Sequence, residues 1–164
     1  MIDILVYLFE TYGYADACPA EPEQLARKLS AAGFEEEEIS DAIEWLEGLR
    51  EISGQPAPVI NSDSRAFRIF SDEELACLDA SCRGFLAFLE SSGVLNAGQR
   101  EVIIERAMAL PGGEVSLSQF KIIVLMVLWQ QQVNLDMLVL DELLTEEVED
   151  GDDLPDGSEA VTVH

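Results

Sequence analysis

The chain has 164 residues and an apolar fraction of 48%, which suits one domain or two small helical units that share a core. Its net charge of −24 disfavours contact with nucleic-acid phosphates and with anionic membranes, because like charges repel. The most apolar run, Phe120–Trp129, is far shorter than the roughly 20 residues of a membrane span, so it is predicted to be a core helix.

Residues 1–52 are predicted to form a unit of three helices, which resembles a winged-helix arrangement in its spacing. The first covers Ile2–Tyr12, the second runs from Pro22 to Gly33, and the third begins in the acidic run Glu35–Glu38. A DNA-reading helix would present basic or amide side chains, but this third helix presents acidic ones, so direct nucleic-acid binding is not expected. Its predicted buried residues are Ile39, Ala42, Ile43, Leu46 and Leu49, with Trp45 at the margin.

Residues 53–70 are predicted to be a linker with a short strand. Ser53–Ser64 contains two prolines and a glycine, which favour a loop. Arg65–Phe70 alternates well enough for a strand. The linker is the expected boundary between the unit 1–52 and a second helical unit, 71–148, that shares its core.

The second unit is predicted to contain four helices. The first covers Asp72–Ser92, the last is Leu135–Val148, and residues 149–164 are expected to be an acidic disordered tail. The predicted fold class is therefore mostly α: a compact bundle of six or seven helices with at most a short β-strand pair. The helix start signals are a capping box of Ser71 and Glu74, a cap at Asn96, and a capping box of Ser116 and Gln119.

The acidic charge is concentrated towards the two ends of the chain. Residues 1–64 hold 14 acidic and 3 basic side chains, and residues 65–135 hold 8 and 6. From Asp136 onward there are 11 acidic side chains and no basic one. The simplest interpretation of this acidic charge is that it keeps the protein soluble. The more specific alternative is that it docks to a basic protein.

The motifs and spacings that common enzyme and metal sites need are absent from the sequence. The one histidine is His164, and no glycine-rich phosphate loop is present. The three cysteines, Cys18, Cys77 and Cys82, have no zinc-ligand spacing and are expected to be reduced thiols. We therefore expect no enzyme activity, no metal and no cofactor.

The helix predicted over Asp72–Ser92 carries the candidate interaction surface. At about 100° per residue, the mostly small residues Cys77, Ser81, Gly84 and Phe88 form one stripe beside the apolar face, which Cys82 joins as a buried hydrophobe. Gly84 costs about 1 kcal/mol relative to Ala in a helix, so another helix or a partner is expected to approach its backbone. Asp79 and Arg83 are predicted to pair, unless Arg83 reaches over Gly84 to an anionic partner group. The candidate surface is Cys77, Asp79, Ser81, Arg83, Gly84 and Phe88.

Five segments together resemble the bacterial Smg protein family, and the resemblance covers roughly residues 1–145. It implies a cytoplasmic protein of a family long treated as a domain of unknown function, without a known catalytic residue set. Family members are often encoded near DNA-processing and topoisomerase-like proteins, and the family is associated with negative regulation of tetrapyrrole precursor synthesis. The segments are Tyr7–Tyr12, Ala32–Phe34, Trp45–Glu47, Leu78–Leu86 and Arg100–Arg106.

Two functional hypotheses follow. The first is a non-enzymatic cytoplasmic regulator or adaptor that binds a protein partner of unknown identity, such as an enzyme of tetrapyrrole precursor synthesis. The alternative is a protein associated with DNA metabolism, which acts through the winged-helix-like half or as an acidic DNA mimic. The acidic start Met1–Asp3, where a secretory signal would be basic, favours the cytoplasm. No membrane partner is expected, and a homodimer through the Phe120–Trp129 helix stays open.

Overall fold

The computed structural model describes residues 1–13, 15–54 and 70–144. Within these ranges the chain forms eight α-helices and one short 3₁₀ turn, which confirms the mostly α fold with one helix more than expected. The bridge between Leu78 and Val115 is the one β-type pairing in these ranges. The helices are α1 (Ile2–Thr11), α2 (Pro22–Ala32), α3 (Glu36–Ser53), α4 (Asp72–Cys77), α5 (Ala80–Ser91), α6 (Ala97–Met108), α7 (Leu117–Gln130) and α8 (Met137–Leu144).

Helix α7 is the centre of the bundle. Every side chain in Phe120–Trp129 is buried, and α1, α3, α5, α6 and α8 all pack against this helix. An apolar surface all round a helix requires neighbours on every side, so the sequence-based prediction of a core helix is confirmed. The apolar surface suggested for a homodimer is therefore not exposed on α7. None of the helices in the described ranges is both long and apolar enough to cross a membrane.

The N-terminal helices reach the core through α1 and α3, while α2 lies on α3. Helix α3 buries four of the residues predicted for its core face, but Ile43 is only half-buried. Trp45, which was expected at the margin, is only 3% exposed, because α6 covers that side of α3. The strand predicted at Arg65–Phe70 lies outside the described residues except for Phe70, which is not in a strand.

The prediction of a single helix over Asp72–Ser92 is wrong. Leu78 divides this segment into α4 and α5, because its backbone is extended at φ −107° and ψ 115°. Leu78 bridges to Val115, and the Val115 amide donates to the Cys77 carbonyl at 3.0 Å. This contact with a distant segment replaces the helical hydrogen bonds that would have continued α4. Leu75, on α4 ahead of the break, is 42% exposed.

The start signals predicted for three C-terminal helices, at Ser71, Asn96 and Ser116, are confirmed. Helix α8 ends at Leu144 within the described range, and the tail predicted for residues 149–164 lies outside it. The units 1–52 and 71–148 and the linker between them stay predictions, although buried residues of both units belong to one apolar cluster. Capping boxes are present at Ser71–Glu74, Asn96–Gln99 and Ser116–Gln119.

Candidate functional site

Helix α5 exposes a face that carries no charged side chain. Ser81, Gly84 and Phe88, three residues of the candidate surface, lie on this face, and Phe88 is 59% exposed. In a chain with 33 acidic and 9 basic residues, an uncharged exposed helix face is unexpected on solvation grounds alone. The face, called the α5 face from here on, consists of Ala80, Ser81, Gly84, Ala87, Phe88 and Ser91.

The close approach predicted at Gly84 does not come from the described part of the chain. A Cβ atom added at Gly84 would meet no atom beyond its immediate helical surroundings within 4 Å. The expectation that another helix of the same bundle covers this position is therefore wrong for the described residues. The small side chains leave the backbone of α5 open to solvent beside the Phe88 ring.

The other residues of the candidate surface have structural partners. Cys77 belongs to α4 and is buried, with its Sγ 3.8 Å from the Ala107 carbonyl oxygen. The Asp79 side chain caps α5 by accepting from the Cys82 amide at 2.9 Å, and this hydrogen bond lowers the pKa of the carboxyl. Arg83 donates its Nε–H to the carbonyl oxygens of Leu78 and Asp79, both at 3.3 Å, so its side chain turns back towards the break and not over Gly84. The structure therefore brings Ser81, Gly84 and Phe88 together and separates Cys77 from them.

The thiol of Cys82 lies in the core, as the sequence predicts. Its side chain is fully buried and its Sγ is 3.5 Å from the Val115 carbonyl oxygen. Burial raises the pKa of this thiol to about 12, and the Asp79 carboxylate adds to the effect. A thiol with so high a pKa is a poor nucleophile near neutral pH.

Helix α3 carries a second exposed feature, formed by acidic side chains that the sequence predicts on this helix. Five of its exposed residues follow a spacing of three and four, so they form one row along the helix. The sequence predicts the acidic character of this helix, but not that four of its glutamates share one exposed row. We call this row the acidic ridge: Glu37, Ser40, Glu44, Glu47 and Glu51.

Two clefts lie beside the acidic ridge. One is lined by residues of α3 and of the segment after α6, and the other is a groove between α2 and α3. Each contains carboxylate groups but no histidine or cysteine. The first is lined by Met1, Asp41, Glu44, Trp45, Ala109 and Pro111, and the groove is lined by Ala26, Arg27, Ser30, Ala31, Glu36 and Ile39.

Lys121 is the one charged residue buried in the described core. Its amine is 3.2 Å from Glu142 Oε1 and 5.5 Å from the centre of the Phe85 ring, so it ties α8 and α5 to α7. No group of three His, Cys, Asp or Glu side chains in the described ranges could hold a metal ion. His164 lies outside those ranges.

Comparisons with known proteins place the chain in a family. The model of a family described as "Protein of unknown function (DUF494)" matches residues 1–151. A "Protein Smg homolog" of Aromatoleum aromaticum is 62% identical over 151 residues, which are 92% of this chain and 96% of the relative. The homologue of Azoarcus sp. is 54% identical over 92% of this chain and 97% of its own, and that of Bordetella avium is 50% identical over 90% and 96%. No solved structure matches.

Proposed function

We propose that this chain, which belongs to the Smg family of proteins of unknown function, is a non-enzymatic cytoplasmic adaptor or regulator that binds another protein through the α5 face. The observation that carries the proposal is the absence of charge from this face, together with the exposed ring of Phe88. Interface cores are depleted of charged residues and enriched in aromatic ones. An uncharged face with one exposed phenylalanine on a strongly acidic protein fits that composition.

The small residues of the α5 face favour a helical partner. Ala80, Gly84, Ala87 and Ser91 follow one another at intervals of four, three and four residues, which places them along one line of the helix. Helices pack with their axes about 8–10 Å apart, and the small side chains allow the shorter distance. Phe88, on the neighbouring line, would then fill a pocket of the partner as an anchor residue.

The identity of the partner is part of the proposal. An enzyme of tetrapyrrole precursor synthesis is the candidate that the family resemblance implies, and the chain would then regulate that enzyme by binding it. Since Asp79 and Arg83 border the α5 face at its N-terminal end, they would lie at the polar rim of the interface.

The test is affinity capture from native lysate with wild-type protein and two variants, Gly84→Leu and Phe88→Ser. Both positions are exposed, so the variants are expected to fold normally, and melting curves check this. Matched controls are Ala32→Leu at the exposed end of α2 and Leu138→Ser on α8, where the side chain is 79% exposed. Loss of a specific protein with both α5 variants, but with neither control, supports the proposal. Folded α5 variants that keep every partner overturn it.

The alternative function in DNA metabolism has one observation in its favour, the acidic ridge. The charge density of the ridge is low for a mimic of duplex DNA. Its four carboxylates extend over about 21 Å of helix, roughly one charge per 5 Å, whereas duplex DNA has one per about 1.7 Å. Competition between this protein and duplex DNA for a basic DNA-binding protein would test mimicry, and we rank this function second because of the charge density.

A further inference from the structure

We propose that the groove between α2 and α3, with the acidic ridge beside it, binds a basic amphipathic helix of a partner protein. This inference is independent of the α5 face, since the two surfaces share no residue. It rests on three observations: a groove with small residues along one wall and Ile39 at its base, a row of carboxylates at its side, and the spacing of that row.

The groove has a volume of about 530 Å³, within the range of roughly 300–1,000 Å³ of ordinary binding sites. Ala26, Ser30 and Ala31 contribute short side chains from α2, and the α2 wall of the groove is therefore shallow. Ile39 contributes an apolar surface from α3. Such a groove accepts the apolar side of an amphipathic helix, which inserts side chains one turn apart.

The acidic ridge lies on the same side of α3 as the groove. At about 100° per residue, Glu36, which lines the groove, is some 60° round the helix from Ile39 in the same direction as the ridge. Glu47 follows at about 80° and Ser40 at about 100°, while Glu37 is furthest away at about 160°. Beside the groove, at the N-terminal end of α3, the ridge therefore begins on the same side of the helix, and it continues from there towards Glu51.

The carboxylates of the ridge are unpaired within the described part of the chain. Glu37, Glu44, Glu47 and Glu51 are exposed, and none of them makes an ion pair with a described residue. They form a row of negative charge without ion pairs in the described fold; the Arg106 guanidinium lies against Gly48 on the same helix but pairs with Glu105. Lysine or arginine side chains of a partner would complete it.

The spacing of the row identifies the kind of partner. Residues three and four apart on a helix rise by about 4.5–6 Å, and a second helix alongside presents its own side chains at the same interval. Basic residues at helical spacing can thus face successive carboxylates. Arg27 lines the groove from α2, so the partner's basic residues are expected on the α3 flank only.

The experiment uses the full chain and a synthetic helical peptide of leucine and lysine, about four turns long, with leucine on one face and lysine on one flank. Binding is measured by fluorescence anisotropy against a scrambled peptide of the same composition. The amphipathic peptide is expected to bind at least about tenfold more tightly, because only it can insert leucines into the groove. Ala31→Trp is expected to remove this preference, and Ala76→Trp on exposed α4 is its control.

The charge contribution is tested by the variant Glu37→Gln/Glu44→Gln/Glu47→Gln at low ionic strength. It is expected to weaken peptide binding about tenfold, whereas the matched variant Glu10→Gln/Glu73→Gln/Glu114→Gln, which changes the net charge equally, has less than about a twofold effect.

Three results would overturn the proposal: equal binding of the two peptides, equal loss in the two triple variants, or no binding at all. The first two would reveal attraction between net charges only. Gly84→Leu is expected to leave peptide binding unchanged. Failure of the groove proposal can therefore be distinguished from failure of the proposal that the α5 face binds a partner.

Discussion

Trp45 and Arg106 hydrogen-bond to each other's backbone across the α3–α6 contact. The indole Nε1–H of Trp45 donates to the Arg106 carbonyl at 2.9 Å, and Arg106 Nη1 donates to the Trp45 carbonyl at 3.2 Å. The guanidinium also lies 6.0 Å from the centre of the indole ring. An added Cβ at Gly48 would collide with this guanidinium, so the end of the Arg106 side chain would have to move. The pair therefore fixes how α6 crosses the N-terminal half.

The first prediction concerns Gly48. We expect Gly48→Ala to lower the free energy of unfolding by about 1 kcal/mol, because the guanidinium must leave the Trp45 carbonyl. In an Arg106→Ala background the same substitution should raise it by about 0.5–1 kcal/mol, since alanine is the better helix former. Urea unfolding of the four proteins measures the coupling. If Gly48→Ala had the same effect in both backgrounds, the contact with Arg106 would be energetically irrelevant.

The second prediction concerns the cap of α5. Asp79→Ala should lower the free energy of unfolding by about 1 kcal/mol at pH 7, because it removes the acceptor of the Cys82 amide. Asp79→Asn, which retains a capping oxygen, should lose much less. The pKa of Asp79 is lowered by this hydrogen bond, so the carboxylate's contribution is present above its usual value of 3.8 and is lost as the pH falls below it. The difference between wild type and Asp79→Ala should therefore shrink in acid, and a constant difference would contradict this explanation.

The third prediction separates the charge of Lys121 from its buried methylene chain. We expect Lys121→Met to change the free energy of unfolding by less than about 1.5 kcal/mol, because an ion pair between this buried lysine and the exposed Glu142 contributes little net stability over an apolar residue of similar shape. Lys121→Ala should cost about 2 kcal/mol or more, because it leaves a cavity in the centre of the bundle. Chemical denaturation tests this order. A loss in Lys121→Met as large as in Lys121→Ala would show that the ammonium group itself is required.

The fourth prediction concerns alkaline pH and Cys82. Its pKa is raised from 9.0 to about 12 in the folded state, so the thiol's contribution to stability is intact below pH 9 and is lost as the pH rises towards 12. The decline should approach about 1.4 kcal/mol per pH unit for this one proton. Unfolding free energies measured across this range should fall less steeply in Cys82→Ala than in wild type. Parallel pH profiles of the two proteins would contradict the shift.

Much of the fold can be predicted from local sequence signals. The capping residues of three helices, the proline at the start of α2 and the apolar run of α7 each predicted an element that the structure contains. These signals act between residues no more than one helical turn apart, so they do not depend on the rest of the fold. The spacing of Ser81, Gly84 and Phe88 likewise placed them together on one side of a helix.

The sequence by itself thus determined the positions of most helices, the central place of α7 and the excess of negative charge. Tertiary structure alone decided which sides of those helices are covered. It buried Trp45 through a contact with Arg106, 61 residues away, and divided the helix expected over Asp72–Ser92 through the pairing of Leu78 with Val115. It also left Gly84 exposed. The physical reason is that burial depends on which distant segments meet, and periodicity within one helix specifies only that an apolar face exists, not what will cover it.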